Sequence, residues 1–281
     1  MTTAFVFPGQ GAQAVGMGKD LTSLPAAQAI FDAADRALGF ALSQLMFEGP
    51  KESLDDTINT QPALYTMSVA LYEALGKPTP TLMAGNSFGE YAALYVAGVF
   101  SFTDGLRLVR ERGRVMKAAG ERRPGGMAAI IGLDDAIVQD ICAQIDGVQV
   151  SNYNSPGQVV VSGTKPAVAS AMQAAKERKA KLVSALDVSI AAHSALMQPA
   201  VAEFAAAVHA TPMSAPRIPV VANVTAQPLD DVDAIRTELV AQLTSAVQWT
   251  KTIEYMVAHG VDTFVEIGSG KVLTGLIKRI A

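Results

Sequence analysis

The sequence predicts an α/β fold: a main domain built on a largely parallel sheet, interrupted by a smaller α+β unit. Two observations carry that expectation. Toward both ends of the chain, short apolar runs alternate with longer stretches of helical periodicity, as strands covered by crossover helices require. Between them, the order strand–helix–strand–strand–helix–strand fills the middle of the chain, which is the ferredoxin-like βαββαβ unit. A chain of 281 residues with 50% apolar content has ample material for such a core.

Taken in order, Ala4 to Phe7 is an apolar run halted by Pro8-Gly9-Gln10-Gly11, a buried strand entering a loop. Leu24 to Leu38 and Pro62 to Leu75 carry apolar residues at helical spacing. Thr81 to Gly85 is a second short strand, followed by Ser87 and a helical stretch from Glu90 to Ala97. Thr103 to Ala118 reads as a basic helix whose Thr103-Asp104 start suggests the cap. The middle unit is Gly126 to Gly132 (strand), Asp134 to Ile145 (helix), and strands Val148 to Tyr153 and Gln158 to Ser162 around the turn Asn154-Ser155-Pro156-Gly157. It closes with a helix from Lys165 to Lys179 and a strand from Lys181 to Asp187. Beyond it come a helix Ser194 to Val208, a strand Ile218 to Val224, helices Asp231 to Leu243 and Thr252 to His259, a strand Thr263 to Ile267, and a helix Lys271 to Arg279. The expected division is residues 1–123 with 190–281 for the main domain and 124–189 for the insertion.

Composition excludes several classes. Lys and Arg number 22 against 26 Asp and Glu, a formal net charge of −4, so no basic surplus exists to neutralise nucleic-acid phosphates. Cys142 is the single cysteine, which rules out a disulfide framework and any cysteine-rich zinc site; no metal ligand set is expected. The N-terminal MTTAFVFPGQ lacks a basic run before its apolar stretch, so no signal peptide is expected, and no apolar run approaches the ~18–20 residues of a membrane span. The expectation is a cytoplasmic protein, monomeric in the absence of any heptad run.

Gly85-Asn86-Ser87-Phe88-Gly89 fits G-x-S-x-G in its functional context, after a strand and before a helix. Glycines on either side let a sharp turn bring backbone atoms together and lift the serine oxygen to the sheet edge, beside a helix N-terminus. An ordinary N-cap serine is the competing reading. A nucleophilic serine needs a base, and the chain has three histidines. His209 closes an Ala-rich helix and reads as solvated, while His259 precedes Gly260 at a helix end where an imidazole suits the dipole. His193, in Ala191-Ala192-His193-Ser194, lies where the insertion returns to the main domain, and clefts between domains are favoured ligand sites. It is the expected base. The loop at Gln10 follows the first strand, so in a parallel sheet its N–H and that of Phe88 could form an oxyanion hole. Gly9-x-Gly11-x-x-Ala14 loosely matches a dinucleotide fingerprint, but Gly16 and Gly18 follow where a helix should open. Gly268-Ser269-Gly270-Lys271-Val272 lacks the earlier glycine and final Ser/Thr of a P-loop.

These residues together resemble the malonyl-CoA:acyl carrier protein transacylases, the acyltransferases of fatty-acid and polyketide synthesis. The blocks carrying the resemblance are FPGQGAQ from Phe7, QPALYT from Gln61, GNSFGEY from Gly85, RERGRVM from Arg110 and GMAAIIGLDDA from Gly126. NYNSPGQVVVSG from Asn152, AAHSALM from Ala191, VQWTKTIEYM from Val247 and EIGSGKVLTGLIKRI from Glu266 extend it over almost the whole chain. The resemblance implies an α/β-hydrolase-like main domain and a ping-pong reaction without a cofactor, malonyl-CoA being the substrate. Ser87 attacks the coenzyme A thioester, His193 takes its proton, and the phosphopantetheine thiol of an acyl carrier protein receives the acyl group. It implies further that a backbone carbonyl near Gln248 orients the histidine, that Arg112 pairs with the malonyl carboxylate, and that Asn86, Ala192 and Met116 line the substrate site.

The Arg112 role also makes sense on chemistry alone, since a planar guanidinium holds a carboxylate bidentately and keeps its charge when desolvated. Arg107, Arg110, Arg114 and Lys117 read as surface charges or as coenzyme and carrier contacts. Lys176, Arg178, Lys179 and Lys181 form a second basic patch able to steer an acidic carrier into the interdomain cleft. The chain departs from the family's pattern at Asn86, where histidine is common, at Phe88, where a small or aliphatic residue is usual, and at Ala192, where serine or phenylalanine is used in relation to acyl choice. Asn86 and Phe88 point toward a polyketide-pathway relative. The chain ends at Ala281, soon after the last matching block, which is compatible with a domain of a longer polypeptide. Two other functions share these features: a hydrolase that clears carriers by letting water deacylate Ser87, and a silent carrier-binding module. Arg112 favours transfer over the first, and the Ser87–His193 pair argues against the second.

Overall fold

The computed structural model describes residues 2–188 and 190–281; Met1 and the expected boundary at Ser189 lie outside the described residues. In chain order the elements are β1 (Thr3–Phe7), α1 (Pro25–Leu38), α2 (Leu42–Glu48), α3 (Lys51–Asp55), α4 (Thr57–Ala74), β2 (Leu82–Gly85), α5 (Gly89–Val96) and α6 (Phe102–Arg122). Then follow β3 (Gly125–Ile131), α7 (Asp135–Ala143), β4 (Val148–Ser155), β5 (Gln158–Thr164), α8 (Lys165–Glu177) and β6 (Leu182–Ala185). The chain finishes with α9 (Gln198–Ala210), β7 (Val220–Val221), β8 (Pro228–Leu229), α10 (Val232–Ala241), α11 (Trp249–Ala258), β9 (Thr263–Glu266) and α12 (Val272–Ile277).

Two sheets result. The first has the order β8-β7-β2-β1-β9 and is parallel except at β8. Its interior strand β1, between β2 and β9, is apolar at every position after Thr3, because side chains on both faces are buried. Phe5, Phe7 and Met83 face the larger core, packed under α1, α4, α5 and α6; Ala4, Val6, Leu82 and Ala84 face a second core with Trp249, Ile253 and Leu276. That division follows the two-residue period of a strand. Parallel pairing of Phe7 with Gly85 places the loops after β1 and β2 at one edge, where the chain after β7 also emerges.

The second sheet, β4-β5-β3-β6, is antiparallel throughout and has its own core of Ile130, Val138, Val159, Val161 and Ala171, among others. It is tied to the first unit by backbone: Val247 donates to Ser151 O at 2.9 Å, and Tyr153 donates to Val247 O at 2.9 Å. This bridge anchors one strand of the smaller sheet, β4, to the main body.

Several elements differ from expectation for identifiable reasons. Helix α4 begins at Thr57 rather than Pro62, capped by the Asp56 carboxylate on the Ile58 N–H at 3.3 Å. Pro62 sits inside it and cannot bond the Ile58 carbonyl; the Arg110 Nη1 does so instead at 3.3 Å. The cap of α6 is Ser101, not Thr103-Asp104: its hydroxyl accepts from Asp104 N–H at 3.1 Å and donates to the Asp104 carboxylate at 2.6 Å. The β4–β5 connection is only Pro156-Gly157, because β4 runs on through Ser155. The expected strand Ile218 to Val224 shrinks to Val220–Val221, and the helix from Ser194 opens with a 3-10 turn before α9 starts at Gln198. Helices α2 and α3, only 7 and 5 residues long, are too short to show periodicity. No helix among the described residues is long and apolar enough to cross a membrane.

Phe31 is fully buried and meets Phe47 edge-on at 5.1 Å between ring centroids, joining α1 to α2 and the large core. Truncating it, Phe31→Ala, is expected to lower unfolding free energy by about 3–5 kcal/mol, read from the shift of a urea unfolding midpoint.

Candidate active site

The turn from β2 into α5 is the tightest backbone approach in the first sheet. A Cβ on Gly85 would lie 1.9 Å from the Gly89 carbonyl carbon, and one on Gly89 would lie 2.3 Å from the Phe7 oxygen. Only glycine permits that crossing. Between them Ser87 is held at φ 52°, a left-handed conformation unusual for serine. The turn is pinned from a distance: the Ser87 N–H donates to Asn223 Oδ1 at 2.8 Å, and Asn223 Nδ2 donates to the Gly85 carbonyl at 2.9 Å.

His193 meets this serine across the cleft, with Nε2 2.8 Å from Ser87 Oγ. It too has a positive φ, 56°, and is only 3% exposed. Its Nδ1 lies 2.7 Å from the Gln242 carbonyl, which can only accept. Nδ1 therefore carries the proton, and Nε2 presents its lone pair to the serine hydroxyl. Burial, reinforced by the positive charge of Arg112, lowers the His193 pKa to about 4, against the opposing pull of its backbone hydrogen bonds to Gln242 and Ser245. A neutral imidazole facing a hydroxyl on a strained turn can take that hydroxyl's proton as it attacks a carbonyl.

Arg112, from α6, lies beneath the pair and is 1% exposed. Nη1 donates to Gln61 Oε1 at 2.9 Å and Nη2 to Gln242 Oε1 at 2.9 Å, with Nη2 3.5 Å from Ser87 Oγ. Its Nε has no hydrogen-bond partner among the described residues. Burial lowers its pKa, opposed by Tyr91 and Glu90. A desolvated guanidinium with donors to spare beside a nucleophile suits a substrate that brings a carboxylate.

Ser87, His193, Arg112, Gln10, Phe88, Asn86, Ala192 and Met116 all line one cleft of about 510 Å³, bounded opposite by Asn152 and Asn154 of β4. Gln10 follows β1 and Phe88 caps α5, at the same sheet edge. The Phe88 side chain is 2% exposed and belongs to the large core. Asn86 carries a buried Nδ2 without a partner among the described residues.

Gln248 is the exception. The carbonyl that orients His193 belongs to Gln242, six residues earlier. Gln248 instead starts α11: its N–H donates to Asn223 O at 2.7 Å and its carbonyl accepts from Thr252 at 2.9 Å. Both backbone groups are thus committed to anchoring that helix. Of the basic residues, Arg110 binds the Ile58 carbonyl and Asn59 and covers the Phe40 ring, Arg114 pairs with Glu111 and Glu203, and Lys117 pairs with Asp56. Lys176, Arg178 and Lys179 are exposed at the end of α8 and do not line the cleft, and Arg178 pairs with Asp140. His209 and His259 are exposed, as their positions suggested.

The residues that sequence reasoning missed form a buried polar layer under the cleft. Gln242, Asn223, Glu90 and Glu238 come from three separate segments. Gln242 Nε2 donates to Glu90 Oε2 at 2.6 Å and reaches the Ser87 carbonyl at 3.3 Å, and Asn223 N–H donates to Glu90 Oε1 at 3.1 Å. Burial, and Glu238 nearby, push the Glu90 pKa up, while burial raises Glu238 to about 7. Gln61 and Glu90 had a signal, lying in the QPALYT and GNSFGEY blocks; Asn223 and Gln242 stand 136 and 155 residues from Ser87 with nothing local to mark them.

Fold and site together define an α/β protein with a serine–histidine pair and a buried arginine at the C-terminal edge of a parallel sheet. The comparisons name the class. A family model described as "acyl transferase domain" matches residues 4–279, and the chain belongs to that family. It is 50% identical to the malonyl CoA-acyl carrier protein transacylase of Escherichia coli K12, over 99% of this chain and 92% of that protein, and 43% identical to its namesake in Bacillus subtilis, over 99% and 90%. Among solved structures, the malonyl CoA-acyl carrier protein transacylase of Coxiella burnetii superposes with TM-score 0.97 at 41% identity, covering 100% of this chain and 91% of that one. A malonyl-transacylase in complex with a type II PKS acyl-carrier protein superposes with TM-score 0.96 at 43% identity, covering 100% and 93%.

The depressed histidine sets a pH expectation. The rate at which a sulfonyl fluoride labels Ser87 should fall on acidification with a midpoint near pH 4, not near the unperturbed 6.5. The same shift makes this histidine's contribution to stability complete above pH 6.5 and lost as pH falls toward 4, because the unfolded chain takes up a proton that the native imidazole refuses. Intact-mass labelling rates and unfolding midpoints across that range check both.

Proposed function

We propose that this chain transfers a malonyl group from malonyl-CoA, through an ester on Ser87, to the phosphopantetheine thiol of an acyl carrier protein, in fatty-acid or polyketide synthesis. One observation carries the reading: Ser87 Oγ lies 2.8 Å from a neutral imidazole nitrogen and 3.5 Å from a buried guanidinium. The names of the relatives, including a polyketide biosynthesis protein of Burkholderia thailandensis matched at 42% identity over 99% of this chain, support the substrate and partner classes. That protein is longer, with 24% of its length matched.

In the first half-reaction Ser87 Oγ attacks the thioester carbonyl while His193 Nε2 takes the hydroxyl proton. The N–H groups of Gln10 and Phe88 hold the oxyanion, and the tetrahedral adduct collapses with release of coenzyme A, protonated by His193. In the second, the carrier's thiol gives its proton to His193 and attacks the seryl ester; the proton returns to Ser87 Oγ as the malonyl thioester leaves. Arg112 pairs with the malonyl carboxylate in both halves, so the acyl group enters with its anionic end away from the reacting carbonyl. Asn86, Ala192 and Met116 shape the remaining wall. The chemistry needs no metal or redox group, only positioned donors and one base.

The same reading takes residues 1–123 with 190–281 as an α/β-hydrolase-like catalytic unit and residues 124–189 as a ferredoxin-like insertion. The strand–turn–helix at Ser87 supports the first, and the antiparallel order β4-β5-β3-β6 supports the second.

Intact-mass spectrometry after mixing with malonyl-, methylmalonyl- and acetyl-CoA tests the reading. Malonyl should load onto Ser87 and pass to an added phosphopantetheinylated carrier, and Ser87→Ala should load nothing. Arg112→Ala should slow malonyl loading on the order of a hundredfold while affecting acetyl loading much less, since only malonyl loses an ion pair. Equal losses for both would overturn the carboxylate role.

A further inference from the structure

Glu90 is a fully buried carboxyl on the first turn of α5, three residues beyond the nucleophile, and no step of the reaction uses it. Its two oxygens face different donors. Oε1 accepts the Asn223 N–H at 3.1 Å, and Oε2 accepts Gln242 Nε2 at 2.6 Å. The second contact decides a polarity. An amide side chain has one donor end and one acceptor end, and because both Glu90 oxygens accept in this arrangement, the donor end of Gln242 faces them. With Nε2 turned to Glu90, Oε1 of Gln242 must turn to the guanidinium, where it accepts from Arg112 Nη2 at 2.9 Å. Gln61 Oε1 holds Nη1 from the other side at 2.9 Å. The guanidinium is thereby held between two neutral acceptors, its orientation set without its charge being neutralised by a direct partner carboxylate.

We propose that Glu90 is a positioning residue for substrate selection: by fixing the amide of Gln242 it aims Arg112 at the acyl carboxylate. The inference rests on the carboxylate role assigned above to Arg112. Glu90→Gln is the informative change. The glutamine is isosteric, and its oxygen can still accept from Asn223 N–H, so the Ser87 turn keeps its support. Its NH2, however, would face the NH2 of Gln242. Relief comes only if Gln242 turns over, and then two donors confront each other at Arg112.

The test measures two rates on Ser87 by intact mass: acylation by malonyl-CoA and labelling by an uncharged sulfonyl fluoride. Glu90→Gln should slow malonyl acylation by about tenfold or more, the effect of losing one hydrogen bond to a charged group, while sulfonyl fluoride labelling stays within about threefold. Gln242→Met removes the same relay together with the contact to the Ser87 carbonyl, leaves the backbone carbonyl on His193, and should slow malonyl acylation at least as much as Glu90→Gln. The double variant should be no slower than Gln242→Met alone, because both changes break one chain of contacts. Losses that multiply, or malonyl and sulfonyl fluoride rates that fall together in variants with wild-type unfolding midpoints, would overturn the proposal. Arg112→Ala in the same assay separates the two readings. If it loses malonyl selectively and Glu90→Gln does not, the relay alone fails; if Arg112→Ala shows no selectivity, the carboxylate role itself fails.

Discussion

The close passage of one backbone over another at the end of β2 is the constraint on which the site depends. Gly85 and Gly89 let the turn into α5 rest directly on the end of β1, and the position between them is forced to a positive φ. A serine there cannot bury its side chain in either core, since the strand below and the helix beside it occupy both. Its oxygen is left facing the cleft at the sheet edge. The left-handed conformation is costly for a non-glycine residue, and it is held by contacts from outside the turn, chiefly Asn223 on the Ser87 N–H.

The same economy runs through the polar layer beneath the cleft. Gln242 orients His193 with its backbone carbonyl, Arg112 with its side-chain oxygen, and contacts Glu90 and the Ser87 carbonyl with its side-chain nitrogen. Buried polar groups are tolerated when satisfied and costly when not, so such a layer admits one arrangement and resists others. Low polarity also explains why the base is neutral: desolvation that would penalise an imidazolium keeps Nε2 ready to accept. Behind the histidine stands a backbone carbonyl rather than a charged group; it orients the ring, and its upward pull on the pKa is outweighed by burial.

The smaller sheet acts as the second wall. It has a core of its own, and the backbone bridge at Val247 attaches β4 to the rest of the chain just ahead of α11. Asn152 and Asn154 line the same cleft as Ser87, from the strand that the bridge attaches. Many of the basic side chains once open to a partner role serve the fold: Arg110 answers the carbonyl left by Pro62, and Arg114 and Lys117 pair with nearby carboxylates.

By itself the sequence determined what local chemistry can encode. The alternation of apolar runs and helical stretches gave the α/β class and the succession of most strands and helices along the chain, and the glycines around Ser87 marked a turn that a close backbone crossing explains. His193 could be chosen because it stood at a junction between units, and eight of the nine expected site residues line the cleft. Boundaries slipped where a cap lay outside the periodic stretch, as at Asp56 and Ser101, or where a helix was too short for periodicity, as in α2 and α3. Only tertiary structure decided which carbonyl serves the histidine. Gln242 and Gln248 are close in sequence and chemically identical, and what separates them is that the hydrogen bonds of Gln248 are spent on Asn223 and Thr252. The polar layer was invisible for the same reason: Glu90, Asn223 and Gln242 carry no shared spacing, and they become one network only when three distant segments converge beneath a parallel sheet edge.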